Sequence, residues 1–577
     1  MKSSANKSQK PIQLAGPAFN QFVIWGICGS LVITLSTIVD SLLVGNIIGS
    51  NGLAVSSMST PVFLIYAFLG FTIGSGASIK IGRLLGASDK EEANRVFSAQ
   101  LTVGLIVSAI LLLPLLFKKS YLSFLGVTDE LYSMAEQYIT VALWCAPIFI
   151  MYYILSNSVR TDGDPKRAAA ASGAVIVLNL VLDFVFMKTL NLGIIGASAS
   201  LCVADTVGTI ILLTHFLKKQ KLLKLRLSIP TLKDIKDFFW GGFSMGSMYI
   251  SIAIVMVMFN TLLLKYGGSN GTMLVAIYGV LYTISTVPNG VFEGTSGALT
   301  TVTPFLVGES DTEGSNFVFK RALKVAVIAG AGITAVCEAI PGLIAKAFGI
   351  TSEFAPAAVR MFAISIVFTA INTIVMGYWQ SIGRTQLANI LALMRNCLLI
   401  LAFGAIFIPK IDIRGVGASY ICAEVLCLIG VIAIKFAKPS KKYIADKYGI
   451  KERYFNNDYV IEKESMQQIS SDLEKVCDEW EIGPAQSFLI NFVCEELLLN
   501  IIKFALDGKN KGYYISVKLI EKDGEYVLCV RDNVSQYNPF ESKGDEIDSG
   551  VLKLIENKAK KCEYQRKLTF NYLYLVI

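Results

Sequence analysis

Gly86-Ala87-Ser88-Asp89 recurs as Gly308-Glu309-Ser310-Asp311, 222 residues further on. Each copy follows a long run almost free of charge, residues 53–82 and 272–307, and precedes a basic stretch. Two more matches keep nearly the same offset. Gly163, in Arg160-Thr-Asp-Gly-Asp, returns as Gly383 in Ser381-Ile-Gly-Arg, 220 on; Gly196-Ala197-Ser198 returns as Gly417-Ala418-Ser419, 221 on. Three separate stretches at one offset read as a duplicated unit. An even number of spans per copy gives both copies the same orientation, about an axis along the membrane normal, with a cleft between them for an alternating-access substrate.

Outward from these tetrapeptides, apolar runs fill residues 19–436. The 577-residue chain is 53% hydrophobic and 17% charged, too apolar for an ordinary soluble protein. About 20 apolar residues cross a ~30 Å hydrocarbon core as a helix. The spans predicted are 17–47, 53–82, 94–117, 132–158, 167–188, 193–217, 236–265, 272–307, 321–348, 354–380, 386–408 and 415–437. The fold class expected is an all-α polytopic membrane protein, twelve transmembrane helices in two six-helix pseudo-repeats, with a C-terminal soluble α/β domain of α+β sandwich type. The domains are then 1–220 and 221–438 for the two lobes, 439–460 for a linker, and 461–577 for the soluble part.

Basic residues set the expected sidedness. Lys80, Arg83, Lys90 and Arg95 flank the second connection, and Arg160, Lys166 and Arg167 the fourth. The sixth carries Lys218, Lys219, Lys221, Lys224, Arg226, Lys233 and Lys236. Lys118 and Lys119 are the exception on the other side. The reading is a multi-pass protein of the cytoplasmic (inner) membrane with both termini in the cytoplasm and no cleaved signal peptide. The net charge of +8 sits in the membrane part, with 31 basic against 21 acidic residues before Lys438 and 21 against 23 from there on. That asymmetry belongs to a membrane topology, so no nucleic-acid partner is expected.

A single histidine, His215, makes a Ser-His-Asp triad, a His-ligated metal or a phosphohistidine relay improbable. The eleven cysteines lack CxxC or paired metal spacing and read mostly as small hydrophobes.

A carboxylate within a bilayer is costly and needs a reason. Asp40 lies near the end of span one and Asp183 in span five, with Asn179 one helical turn before it on the same face. Together they are candidates to hold a proton or Na⁺ inside the first lobe; the alternative is carboxylates solvated near helix ends. Glu293, in Asn289-Gly-Val-Phe-Glu-Gly-Thr-Ser-Gly, is a candidate contact for a cationic substrate in the second lobe, or else a polar helix–helix contact. Asn157 is a candidate for the cleft, with an end-capping role as its alternative. Asp205 and Glu424, in spans six and twelve, carry weaker arguments.

Ile38-Val-Asp-Ser-Leu-Leu-Val-Gly-Asn-Ile-Ile-Gly, Gly74-Ser-Gly-Ala-Ser, Gly86-Ala-Ser-Asp-Lys-Glu-Glu-Ala, Arg160-Thr-Asp-Gly-Asp-Pro-Lys-Arg and Leu178-Asn-Leu-Val-Leu-Asp resemble the multidrug and toxic compound extrusion (MATE) family over about residues 12–437. The resemblance implies export of drugs or organic cations in exchange for H⁺ or Na⁺. It implies that Asp40, Asn179 and Asp183 form the amino-lobe cation site, joined by a small polar residue of span six, Ser198 or Ser200. A carboxylate that some members carry early in span seven has no counterpart, since Met248-Tyr249 stands there.

Beyond Pro439 the pattern turns to helices and alternating strands: helices at 462–480 and 484–506, strands at 514–520 and 525–531 joined at Lys522-Asp523-Gly524, a helix near 551–560 and a last strand at 570–577. Glu496-Leu-Leu-Leu-Asn500, Asp532-Asn533 and Ser549-Gly550 resemble the ATP-binding domain of histidine kinases, especially its compact form in anti-sigma-factor kinases. That resemblance implies ATP with Mg²⁺: Glu496 as base or positioning water, Asn500 on the metal, Asp532 on the adenine, Gly550 by the phosphates. Phe504 and Val534 stand where the pattern has histidine and glycine, and only Gly550 of the second glycine box remains. The tail is therefore expected to be a regulator with a protein partner on a worn nucleotide-binding fold. Two other functions fit the architecture: a flippase for a lipid-linked precursor, which the scarcity of basic residues within spans disfavours, and a membrane-anchored sensor or anti-sigma-type serine kinase, which the lost glycines disfavour.

Overall fold

The computed structural model describes residues 14–48, 50–124, 131–218, 221–226, 228–347, 352–437, 439–448, 453–505, 512–522, 524–535, 559–568 and 570–577, without the side chains of 32–46, 50, 51, 53, 57, 124, 504, 505 and 522. The first repeat comprises α1 (Ala15–Ile47), α2 (Ser50–Gly86), α3 (Lys90–Leu111), α4 (Lys118–Phe124), α5 (Tyr132–Trp144), α6 (Ala146–Thr161), α7 (Pro165–Phe184) and α8 (Ile194–Leu213). The second comprises α9 (Leu232–Tyr266), α10 (Gly271–Gly308), α11 (Thr312–Ala339), α12 (Pro341–Ala347), α13 (Phe354–Ser381), α14 (Thr385–Leu393), α15 (Leu399–Ile411) and α16 (Arg414–Ala437).

Among the described residues eleven helices are long and apolar enough to cross a membrane, and one of them, Pro484–Lys503, lies in the C-terminal part. The other ten, the bent pair α5–α6 and α1 coincide with the twelve predicted spans. Three of those spans are not simple rods. Span four turns by 45° between α5 and α6. Pro147 sits in the first turn of α6, where a missing amide hydrogen costs least. Spans five and eleven each contain a π-turn, Val185–Thr189 after α7 and Met394–Leu398 between α14 and α15. One-turn π-bulges of this kind gather at functional positions.

The repeated tetrapeptides have a shared physical cause. Ser88 and Ser310 both take left-handed backbone, φ 58° and 61°, ending α2 and α10 in the same manner. A Cβ on Gly86 would stand 2.1 Å from the Phe305 carbonyl oxygen, and one on Gly308 would stand 2.1 Å from that of Arg83. Residues 83 and 305 are themselves 222 apart, so each copy packs on the other's equivalent. The pseudo-twofold axis passes between these two glycines, where only a hydrogen side chain lets the backbones meet. The repeats meet again along α2 and α9. There Asp234, in the capping box that opens α9, pairs with Lys80 at 3.2 Å and Arg95 at 2.9 Å.

The third sequence match shifts in space. Gly193 and Asp412 are the left-handed residues ahead of α8 and α16 (φ 54° and 51°), and Gly196 and Gly415 each lie three residues later, donating back to them. The spatial counterpart of Gly196 is thus Gly415, at an offset of 219, and not Gly417.

The described residues of 14–20, 312–317 and 441–577 form a compact unit separate from those of 21–311 and 318–440. From Ser440 onward the described elements are α17 (Ser440–Tyr448), β1 (Tyr454–Val460), α18 (Lys463–Glu479), α19 (Pro484–Asn500), β2 (Tyr514–Lys522), β3 (Glu525–Asp532), β4 (Lys561–Lys567) and β5 (Phe570–Val576). The strands form one antiparallel sheet in the order β1-β2-β3-β5-β4. Its core joins Ile469, Leu473 and Cys477 of α18 and Ile490, Cys494 and Leu497 of α19 to alternate residues Ile515, Val517, Leu519, Leu528 and Val530 of the sheet. The 439–460 segment, expected as a linker, holds α17 and β1. The helix expected near 551–560 lies almost wholly outside the described residues.

Candidate functional site

Asn179 and Asp183 face α8 from consecutive turns of α7, buried at 3% and 0% exposure. Asn179 Nδ2 donates to Ser200 Oγ at 3.3 Å, and Ser200 Oγ donates to Asp183 Oδ1. Ser198 instead donates to the carbonyl of Ile195 in its own helix at 3.1 Å. Of the two serines left open by sequence, Ser200 joins the pair. The π-turn starts two residues after Asp183, so the helix's hydrogen-bond ladder loosens beside the carboxylate. Asp40 lies on α1, but its side chain is outside the described residues. An amide, a hydroxyl and a carboxylate converging in a dry interior can hold a small cation: the carboxylate supplies charge and the neutral oxygens complete a shell.

Glu293 lies apart from this cluster, half-buried on α10 in the second repeat, within electrostatic reach of Tyr249 on α9 and Tyr282 on α10. Tyr249 stacks on Phe71 of α2, centroids 5.3 Å apart, and Phe71 lies 4.7 Å from Tyr153 of α6. Tyr249 and Tyr282 lie near the carboxylate, and Phe71 and Tyr153 extend the row of rings into the first repeat, a combination suited to a planar or cationic guest. The sequence reading named Glu293 and missed the rings; Tyr249, standing where a carboxylate was sought, was the available signal. Asn157 is spent locally: Nδ2 donates to the Tyr153 carbonyl at 2.9 Å.

The Asp-Gly-Asp motif has a structural task. Asp162 accepts the amides of Leu222 and Leu223 at 3.0 and 3.2 Å and meets His215 Nε2 at 2.7 Å, fastening the connection between repeats to the end of α6. Burial pushes the Asp162 carboxyl up, against the pull of His215. Burial also pushes up on Asp164, but bonds from His215 and Lys218 outweigh it and hold that carboxyl well below the usual range. Cys145 and Cys202 are joined as a disulfide with Cα atoms 5.9 Å apart.

In the C-terminal unit Glu496 and Asn500 are half-buried, and Asn500 Nδ2 donates to the Glu496 carbonyl at 2.8 Å. Asp532 is 4% exposed, and its Oδ1 accepts from Asn571 Nδ2 at 2.7 Å and the Val534 amide at 3.2 Å. Burial pushes its carboxyl up to about 7. Val534 is itself 1% exposed within the core. Adenine recognition would have to use the other oxygen of Asp532, since Oδ1 is taken by Asn571 and Val534. Gly550 lies outside the described residues.

Comparison with known proteins fits this geometry. The MatE family model matches residues 27–185. The multidrug export protein MepA of Staphylococcus saprophyticus is 24% identical over 420 residues, which cover 71% of this chain and 90% of that protein. An outward-facing multidrug resistance MATE family transporter of the MOP superfamily superposes with a TM-score of 0.69 at 24% identity, covering 76% of this chain and all of that one. A MOP superfamily transporter from Pyrococcus furiosus does so at 0.68 and 26%, with the same coverage. The membrane part of the chain therefore carries the fold of the MATE transporters.

Proposed function

We propose that this chain is a MATE-family exporter that moves drugs or organic cations out of the cytoplasm in exchange for H⁺ or Na⁺. The observation that carries the reading is the buried Asn179–Ser200–Asp183 cluster inside a MATE fold. The relatives' names support drug export and a transporter rather than an enzyme. Cation binding at Asp183 changes the charge inside the first repeat, and that change biases the equilibrium between inward-open and outward-open states. The aromatic cleft around Glu293 receives the substrate, so cation and drug occupy separate places and communicate through repeat packing. Both termini are cytoplasmic in this reading. The C-terminal unit regulates transport through a protein partner, with no step assigned to ATP.

The test is efflux from vesicles under an imposed pH or Na⁺ gradient. Wild-type protein should respond to one gradient and Asp183→Asn to neither. Equal efflux by Asp183→Asn would remove the site assignment.

A further inference from the structure

The second repeat holds a carboxylate, Glu424 on α16, buried at 2% exposure. It is fully answered: Arg395 Nη2 lies 2.7 Å from Oε1, Asn372 Nδ2 donates to Oε2 at 2.7 Å, and Thr369 Oγ1 donates to Oε1 at 3.2 Å. The 219 offset that relates α8 to α16 places Asp205 at the equivalent of Glu424. Asp205 is equally buried, at 5% exposure. The 220 offset that relates Gly163 to Gly383 places Val175 where the second repeat has Arg395, and Tyr152 where it has Asn372. Both face α8: Val175 Cγ2 and the Tyr152 ring lie 2.4 and 3.1 Å from where a Cβ of Gly208, one turn past Asp205, would stand.

The first repeat has thus kept the carboxylate without the guanidinium. Among the described residues Asp205 makes no hydrogen bond or ion pair. Among the described residues Tyr152 and Tyr153 of α6 are the titratable groups within its electrostatic reach, and α5 and α7 bring no charge to it. Arg160 reaches Tyr152 but not Asp205. The Tyr152 hydroxyl is bonded to Ser172 of α7 at 3.0 Å.

A carboxylate left charged in such a place is expensive, and something positive must join it. A metal ion needs a shell of several oxygens, which two phenols do not supply. A proton needs none. We propose that Asp205 is a second proton-carrying carboxyl of the first repeat, doing with an exchangeable proton what Glu424 does with a tethered arginine. Tyr153 connects it, through the Phe71 and Tyr249 rings, to the neighbourhood of Glu293. Its protonation state is therefore placed to be felt at the substrate. The inference rests on the cation-coupled reading above.

The experiment uses the full chain in vesicles and records drug efflux against pH, together with protons moved per drug. Asp205→Asn should shift the pH of half-maximal efflux by one unit or more and lower the proton count, while Asp205→Glu keeps the count and moves the midpoint. An Asp205→Asn curve and count that overlay the wild type would overturn the proposal while leaving the Asp183 site intact. If Asp205→Asn does not reach the membrane, an Asp205→Glu midpoint identical to wild type overturns it equally. Wild-type efflux driven by Na⁺ and indifferent to pH would also overturn it but spare cation coupling. Efflux driven by neither gradient would remove both.

Discussion

Ser200 is the hinge of the Asn179–Asp183 cluster, because one hydroxyl accepts from Asn179 and donates to Asp183. Ser200→Ala leaves both partners buried with one bond fewer. A lost hydrogen bond to a buried charged group costs about 1–3 kcal/mol, so half-maximal efflux should require roughly tenfold more coupling cation. Efflux measured against cation concentration checks this; an unchanged midpoint would separate Ser200 from the site. Asp532 gives a pH prediction for the C-terminal unit. Its carboxyl is pushed up to about 7 from an unfolded value near 4, so the folded unit prefers the protonated form. That contribution is complete below about pH 4 and is lost as pH rises through about 7. Hydrogen-exchange protection at β3 and β5 in the intact protein, taken relative to the intrinsic base-catalysed rate, should fall over that interval, and Asp532→Asn should flatten that fall.

Among the elements, the Arg395–Glu424 pair ties the π-turn of span eleven to α16. Removing one partner of a buried pair strands the other, at roughly 3–5 kcal/mol. Arg395→Met should lower the melting temperature sharply, and the Arg395→Met, Glu424→Gln double variant should recover much of the loss. Additive losses would mean that the two do not act as a pair. The same elements mark how far the sequence could be read. The spans were legible because a bilayer demands long uncharged runs, and the Asn179–Asp183 face because helix periodicity sets it. The choice of Ser200 over Ser198 was not, since both lie on α8 within half a turn and only its rotation decides. Strands β1 and β4 escaped because Asn456-Asn457-Asp458 and Glu563-Tyr564-Gln565-Arg566 lack apolar alternation. They are the two edge strands, where polar and charged residues discourage pairing with other chains. The correspondence of Asp205 with Glu424 was hidden by the shift of offset from 221 to 219, which only the backbone at Gly193 and Asp412 reveals.

For the whole molecule, pseudo-twofold packing and asymmetric chemistry coexist. The backbones of the repeats meet through equivalent glycines, Gly86 and Gly308, so both copies must keep the same crossing. A side chain at either cannot be accommodated without parting α2 from α10. Gly308→Val should abolish transport and reduce the folded yield, whereas the same change at Gly332, with open space around it, should do neither. Their charges differ: Asp205 of the first repeat has no tethered cation among the described residues, whereas Glu424 of the second is paired with Arg395. In the proposed function exchangeable cations bind in the first repeat, and rocking of one repeat against the other conveys their binding to the region of Glu293. The most direct measurement is drug efflux from vesicles under an imposed pH or Na⁺ gradient, comparing wild type, Asp183→Asn and Glu424→Gln. The account predicts gradient-driven efflux for the wild type, its loss in Asp183→Asn, and retained cation dependence in whatever Glu424→Gln protein folds. Gradient-driven efflux by Asp183→Asn, or a cation dependence abolished by Glu424→Gln alone, would contradict it.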